Sequence, residues 1–149
     1  PLKESGELMD YFTRLEMVKT AVSGYAKFKV SDFERFLPCP SYTIDTLRTL
    51  QDTYSDNQFH LLIGADNWAI MPQWKDSHAL MEEFPALIYP RRGFDVTIPP
   101  QYPNIRKVDA PLLDISSSFI RQAIRDGKDI RFFLPEAIRP NINYLKDIL

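Results

Sequence analysis

The chain has 149 residues, 44% of them apolar and 26% charged, with a net charge of −2. These are the values of an ordinary globular protein, and a chain this long buries roughly 70% of its unfolded surface, which predicts a single domain over 1–149 without disulfide or metal staples. Lys and Arg are spread along the sequence, which argues against a nucleic-acid partner, and no apolar run approaches a membrane span or a signal peptide. The single Cys39 permits neither an internal disulfide nor a thiol-based metal site, and so favours a cytoplasmic setting.

In chain order, Leu8, Phe12, Leu15, Val18 and Val22 recur on one face, which predicts a helix over 8–22 with Gly24 after its end. Residues 27–30 read as a short strand, and 32–40 as a loop, because Pro38 and Pro40 exclude regular structure. Thr43 is placed to N-cap a helix to about Tyr54, with Ile44, Leu47 and Leu50 pointing inward. The apolar run 59–63 predicts a strand buried on both faces, ended by Gly64-Ala65-Asp66. Helical pieces follow at 67–70 and 76–83, and strands at 86–89 and 105–108. A helix over 117–126 stops at Gly127, and Pro135 suits the first position of a last helix that Pro140 interrupts. Helices and strands that alternate in this way predict a mostly parallel sheet covered on both sides, the α/β class.

The strongest chemical signal is the helix start at Ser116-Ser117-Ser118 with Arg121 one turn on. Free backbone N–H groups, the positive end of the macrodipole, hydroxyls and a permanently charged fork suit a polyphosphate. The plain alternative is one capping serine and a surface arginine. Gly64, at the end of a buried strand, permits close approach of a ligand, and Asp66 is able to accept from two ribose hydroxyls; the alternative is that Asp66 caps the next helix. Trp74, in a loop containing Pro72, is suited to stack on a flat heterocycle or to pack half-buried, whereas Trp68 reads as packing. The segment Ser41-Tyr42-Thr43 offers N–H groups to a carboxylate or amide, besides its capping role. Arg91-Arg92-Gly93 after a strand suits a phosphate or a solvated turn, and Lys3 is a weaker case of the same kind. His60 and His78 have no partner at metal-ligand spacing, no phosphate-loop or dinucleotide fingerprint occurs, and no nucleophile–base pair can be argued.

Taken together, Arg14-Leu15-Glu16-Met17-Val18, Ser41-Tyr42-Thr43-Ile44-Asp45-Thr46-Leu47, Leu62-Ile63-Gly64-Ala65-Asp66, Trp74, Arg91-Arg92-Gly93, Asp114-Ile115-Ser116-Ser117-Ser118-Phe119-Ile120-Arg121 and Leu134-Pro135 occur in an order and spacing that resemble bacterial nicotinate mononucleotide adenylyltransferases. The resemblance covers essentially the whole chain. It implies a doubly wound, Rossmann-like nucleotidyltransferase fold and a step of NAD biosynthesis: ATP and nicotinate mononucleotide give nicotinate adenine dinucleotide and pyrophosphate. It further implies that Ser116, Ser117, Ser118 and Arg121, with Lys3, hold ATP phosphates, and that Gly64 and Asp66 receive adenosine. Tyr42, Thr43 and Trp74 would hold the nicotinate, and Arg92, with Arg91, would lie near the nucleotide phosphate.

The family also carries an H-x-G-H motif near its start, and neither His60 nor His78 is followed by x-G-H. Pro1-Leu2-Lys3 is similar to the tail of the segment that follows that motif, so the expectation is an N-terminally truncated chain with little activity of its own. In the implied reaction the mononucleotide phosphate attacks the α-phosphorus of ATP in line, and Mg²⁺ bridges phosphate oxygens with few protein ligands. Phosphopantetheine adenylyltransferase is one alternative, against which Ser41-Tyr42-Thr43 and Trp74 argue; a non-catalytic dinucleotide-binding relative is another. A homo-oligomer stays open, because the sequence does not set the oligomeric state.

Overall fold

The computed structural model describes residues 10–141, so Lys3 and Leu8 lie outside the described residues. In chain order its main elements are α1 (Tyr11–Val22), α2 (Thr43–Thr53), β1 (Leu61–Gly64), α3 (Ala65–Ile70), α4 (Ser77–Glu83), β2 (Ala86–Tyr89), β3 (Ile105–Lys107) and α5 (Ser117–Arg125). They fall into two compact units, Leu37–Asp114 and, separately, residues 10–36 together with 115–141.

The first unit is built on a parallel sheet of order β1-β2-β3. Leu61 pairs with Ala86 and Gly64 with Tyr89, so the carboxyl ends of β1 and β2 finish side by side. Parallel neighbours need long crossovers. The first runs through α3, a 3-10 turn at Met71–Gln73 and α4; the second, residues 90–104, is irregular. Ile44 and Leu47 of α2, Trp68 of α3 and Leu80 of α4 share one core with Ile63, Ile88 and Ile105 of the sheet. Ile44 and Ile88 are wholly buried, and trimming either to alanine costs about 2–5 kcal/mol. The Arg48 guanidinium, with Nε 2.8 Å from Glu83 Oε2, ties α2 to α4. Trp68 is a packing residue, as expected: it is buried, and its Nε1 donates to Thr97 O at 3.1 Å.

Two expectations fail here. β1 is not buried on both faces: Leu62 is 64% exposed and its register partner Leu87 is 37% exposed. Side chains alternate along a strand, and α2, α3 and α4 gather on the face of Ile63 and Ile88. Residues 27–30 form no strand, and Phe28 is exposed. A strand exists only through a neighbour's backbone, and among the described residues none pairs with this segment.

In the second unit, Asp10 caps α1, its carboxylate accepting from Thr13 N–H at 2.9 Å. The expected apolar stripe of α1 is covered only in part: Leu15 and Val22 are half-buried, whereas Phe12 and Val18 stay half exposed. Met17 packs on the small cluster of Ala123, Ile124 and Ile130, and the Arg35 guanidinium covers the Phe12 ring at 4.9 Å. Gly24 follows the Ser23 C-cap of α1, at the place expected for it, but without a positive φ. Gly127 does close α5 in the left-handed manner: with φ +69° it donates to Ile124 O at 3.0 Å, and Lys128 N–H reaches Ala123 O at 2.9 Å. The stretch after Pro135 is a 3-10 helix, Glu136–Asn141, that carries Pro140 inside it. Among the described residues no helix is long and apolar enough to cross a membrane.

Candidate functional site

The chemistry of the first unit gathers where β1 and β2 end. Gly64 has ordinary extended angles, φ −78° and ψ 158°, so left-handed freedom does not explain it. Space does. A Cβ there would run into Asp66 Oδ1 and would stand 3.2 Å from both Arg91 Nε and Tyr89 Cζ. Gly64 is itself the N-cap of α3, so Asp66, the second helical residue, does not cap that helix. Arg91 folds back over β2: its Nη2 donates to Tyr89 Oη at 2.8 Å, and its guanidinium lies 5.0 Å over the Tyr89 ring. Arg91 Nε is 3.8 Å from Asp66 Oδ1, and both atoms are buried without a hydrogen-bond partner. Buried polar atoms are nearly always hydrogen-bonded; these two face each other as an ion pair outside hydrogen-bond range.

The turn after Arg91 is closed by Phe94 N–H on Arg91 O at 3.2 Å, with Gly93 at φ +81°, a conformation that favours glycine. Arg92 stands at its tip, 79% exposed, with Nη1 2.7 Å from Asp114 Oδ2. Arg91 and Arg92 are therefore neighbours with opposite settings, one packed on Tyr89 and one exposed in an ion pair with Asp114.

A second group forms at the start of α2. Helical bonding begins at Tyr42, whose C=O accepts from Thr46 N–H at 3.0 Å. Tyr42 is therefore the N-cap and Thr43 the first helical residue, one position away from the cap expected for it. No side chain caps this end, so its first N–H groups are open to a ligand. Lys75 Nζ lies 2.8 Å from Asp45 Oδ2 in the first turn of α2 and 4.9 Å over the Tyr42 ring. The hydrogen bond to Asp45 raises the Lys75 pKa. That contact brings the loop bearing Trp74 to the start of α2. Trp74 is half-buried against the core, and its Nε1 is buried with no hydrogen-bond partner.

In the second unit, Ser116 is the N-cap of α5, its Oγ accepting from Phe119 N–H at 3.1 Å. Ser117, Ser118 and Arg121 are exposed and have no side-chain partner among the described residues. Ser117 and Arg121 are four apart and share a helix face.

Sequence reasoning missed Tyr89, Asp45 and Lys75. Tyr89 and Arg91 are two apart, the spacing that puts residues on one side of an extended chain, and that was the available signal. The pairing of Lys75 with Asp45 spans 30 residues and has no local signature. Among the described residues no group of three or more His, Cys, Asp or Glu is placed to hold a metal ion.

Searched against protein-family models, the chain matches none. Against curated proteins it is 44% identical over 142 residues to a Bacteroides fragilis protein named "Probable nicotinate-nucleotide adenylyltransferase", an alignment covering 95% of this chain and 71% of that one. A Porphyromonas gingivalis protein of the same name is 45% identical over 138 residues, covering 91% of this chain and 69% of the relative. Among solved structures, "Plasmodium falciparum nicotinic acid mononucleotide adenylyltransferase complexed with NaAD" superposes with a TM-score of 0.76 at 21% identity, over 99% of this chain and 79% of that one. The superposition establishes the Rossmann-like nucleotidyltransferase fold. Identity at this level, over this share of both chains, shows that the chain belongs to the nicotinate-nucleotide adenylyltransferase family.

Proposed function

We propose that this chain serves adenylyl transfer from ATP to nicotinate mononucleotide, giving nicotinate adenine dinucleotide and pyrophosphate, a step in making NAD. The observation that carries this reading is the 44% identity over 95% of the chain, supported by the meeting of Gly64, Asp66 and Arg91 at the carboxyl ends of parallel strands, where open α/β sheets take their ligands.

Asp66 accepts from the adenosine ribose, and Gly64 leaves the room that Asp66 and Arg91 occupy. The uncapped start of α2 at Tyr42 and Thr43 takes the pyridine carboxylate, and Trp74 stacks on the ring. Arg92, exposed at its turn, neutralises the mononucleotide phosphate. Ser117, Ser118 and Arg121 hold ATP phosphates at the start of α5, with Ser116 shaping that end, and Lys3 assists them. One oxygen of the mononucleotide phosphate attacks the α-phosphorus of ATP, the bond to the β-phosphate bridging oxygen breaks, and pyrophosphate leaves with that electron pair. No covalent enzyme intermediate is required, so the work of these residues is positioning and charge neutralisation. Magnesium enters as part of the ATP substrate, carried by the phosphates. The setting is the cytoplasm, and the 149 residues act as one nucleotidyltransferase domain.

The sequence contains no H-x-G-H, so these residues alone bind nucleotides with little turnover. Calorimetric titration with magnesium–ATP, nicotinate mononucleotide, nicotinamide mononucleotide and phosphopantetheine tests the reading. Binding of ATP and a pyridine mononucleotide, but not phosphopantetheine, is expected. Binding of phosphopantetheine instead would reassign the acceptor, and rapid pyrophosphate release by this chain would overturn the dependence on the histidine motif.

A further inference from the structure

We propose that Tyr89 is a positioning residue of the ATP site: it sets Arg91 against Asp66 so that the two side chains together take the vicinal hydroxyls of the ATP ribose. The inference rests on the reading of Gly64 and Asp66 as the adenosine end of the site.

A surface arginine samples many rotamers, whereas this one is fixed on two sides. Tyr89 Oη holds Nη2 at 2.8 Å, and the Tyr89 ring lies under the guanidinium at 5.0 Å. That placement turns Nε toward Asp66 Oδ1, at 3.8 Å, an ion pair beyond hydrogen-bond range, with both atoms buried and neither hydrogen-bonded. The remaining atoms, Arg91 Nη1 and Asp66 Oδ2, have no partner among the described residues, although the two side chains are 35% and 44% exposed. They leave one donor and one acceptor unused beside the contact of Arg91 Nε with Asp66 Oδ1.

A sugar diol matches such a pair, since each hydroxyl both donates and accepts. A phosphate does not, because it offers only acceptors and meets the repulsion of the neighbouring carboxylate. The carboxylate thus divides the Arg91-Arg92 pair: Arg91 goes to the ribose, and Arg92 alone is left for the mononucleotide phosphate. Tyr89 never touches substrate in this scheme; it acts through Arg91.

The test is a comparison of Tyr89→Phe with the unaltered chain, each titrated with ATP, 2′-deoxy-ATP and 3′-deoxy-ATP. The substitution keeps the ring and removes only the hydroxyl, and a thermal melt checks folding. The unaltered chain is expected to bind ATP more tightly than either deoxy analogue. Tyr89→Phe is expected to lose about fivefold for ATP and for the deoxy analogue that keeps the Arg91-bound hydroxyl, and to leave unchanged the analogue that lacks it. Equal losses for all three ligands, or none, overturn the proposal and leave the site reading standing. Failure of the folded, unaltered chain to bind ATP overturns both. A readout free of nucleotide is the ¹⁵N resonance of the Arg91 Nε–H group. It is expected to be resolved and slow to exchange in the unaltered chain and averaged in Tyr89→Phe; an unmoved signal overturns the positioning role.

Discussion

Gly64 and Asp66 are fitted against each other: the place a Cβ would take on Gly64 is already held by Asp66 Oδ1, with Arg91 Nε and Tyr89 Cζ just behind it. The backbone of Gly64 is ordinary extended chain, so an alanine there is not strained in itself; it displaces neighbours. Asp66 and Arg91 can swing away, which relieves the clash and dismantles the donor–acceptor pair. Gly64→Ala is therefore expected to fold with a modest loss of stability and to weaken ATP binding about tenfold. Urea unfolding and calorimetry on one preparation separate the two effects. Undiminished ATP affinity would show that Asp66 and Arg91 take no part in binding.

Lys75 and Asp45 give a second prediction. Their contact pins the Trp74 loop to the first turn of α2, but both side chains are over 40% exposed, so the pin is weak and salt-sensitive. Asp45→Asn is expected to lower affinity for nicotinate mononucleotide by about two- to threefold, with the difference shrinking at high salt. Quenching of Trp74 fluorescence by the bound pyridine reports the binding, since Trp68 is buried away in the core. A quench that survives Trp74→Phe would place the pyridine elsewhere.

The parts of this protein legible in its sequence are those set by local rules. β2 falls at Ala86–Tyr89, where its apolar run lies, and α5 opens at a serine cap and closes at Gly127, where left-handed backbone is needed. What sequence reading missed depends on distant neighbours. Residues 27–30 have strand composition but no strand beside them. Phe12 and Val18 have helical spacing, yet the packing partner of α1 reaches its Met17 side. The candidate site divides the same way. Asp66, Thr43 and Trp74 could be chosen by residue type and position, whereas the Tyr89–Arg91–Asp66 group exists only because parallel pairing puts Gly64 opposite Tyr89. The separation of roles within Arg91-Arg92 is likewise invisible in the dipeptide.

The three serines at the start of α5 are expected to behave differently. Ser116 Oγ is committed to Phe119 N–H, so Ser116→Ala removes a cap worth about 1 kcal/mol and lowers the unfolding midpoint. Ser117 and Ser118 are exposed and cap nothing, so alanine at either leaves stability unchanged and weakens ATP binding. Nucleoside-level controls sharpen the test: adenosine affinity is expected to be indifferent to Ser117→Ala and Ser118→Ala, because the lost hydroxyls face phosphate. Equal effects on ATP and adenosine would remove the serines from the phosphate site.

Acid sensitivity should appear in the second unit through Asp129. The Arg131 side chain, with Nη2 2.6 Å from Asp129 Oδ2, lowers the carboxyl from 3.8 to about 2, and the Arg131 backbone N–H adds to the effect. A carboxylate whose folded pKa lies below its unfolded value stabilises the fold fully above the unfolded pKa, and that contribution fades as pH falls toward the folded one. The window is thus from 3.8 down to about 2. Asp129→Asn abolishes the linkage, so the difference in urea midpoint between the two proteins is expected to be constant above pH 5 and to narrow below pH 4, in line with carboxyl titration. Both side chains are more than half exposed, so high salt should shrink the difference at every pH. A gap that widens with acid would mean that the Asp129–Arg131 contact does not form in solution.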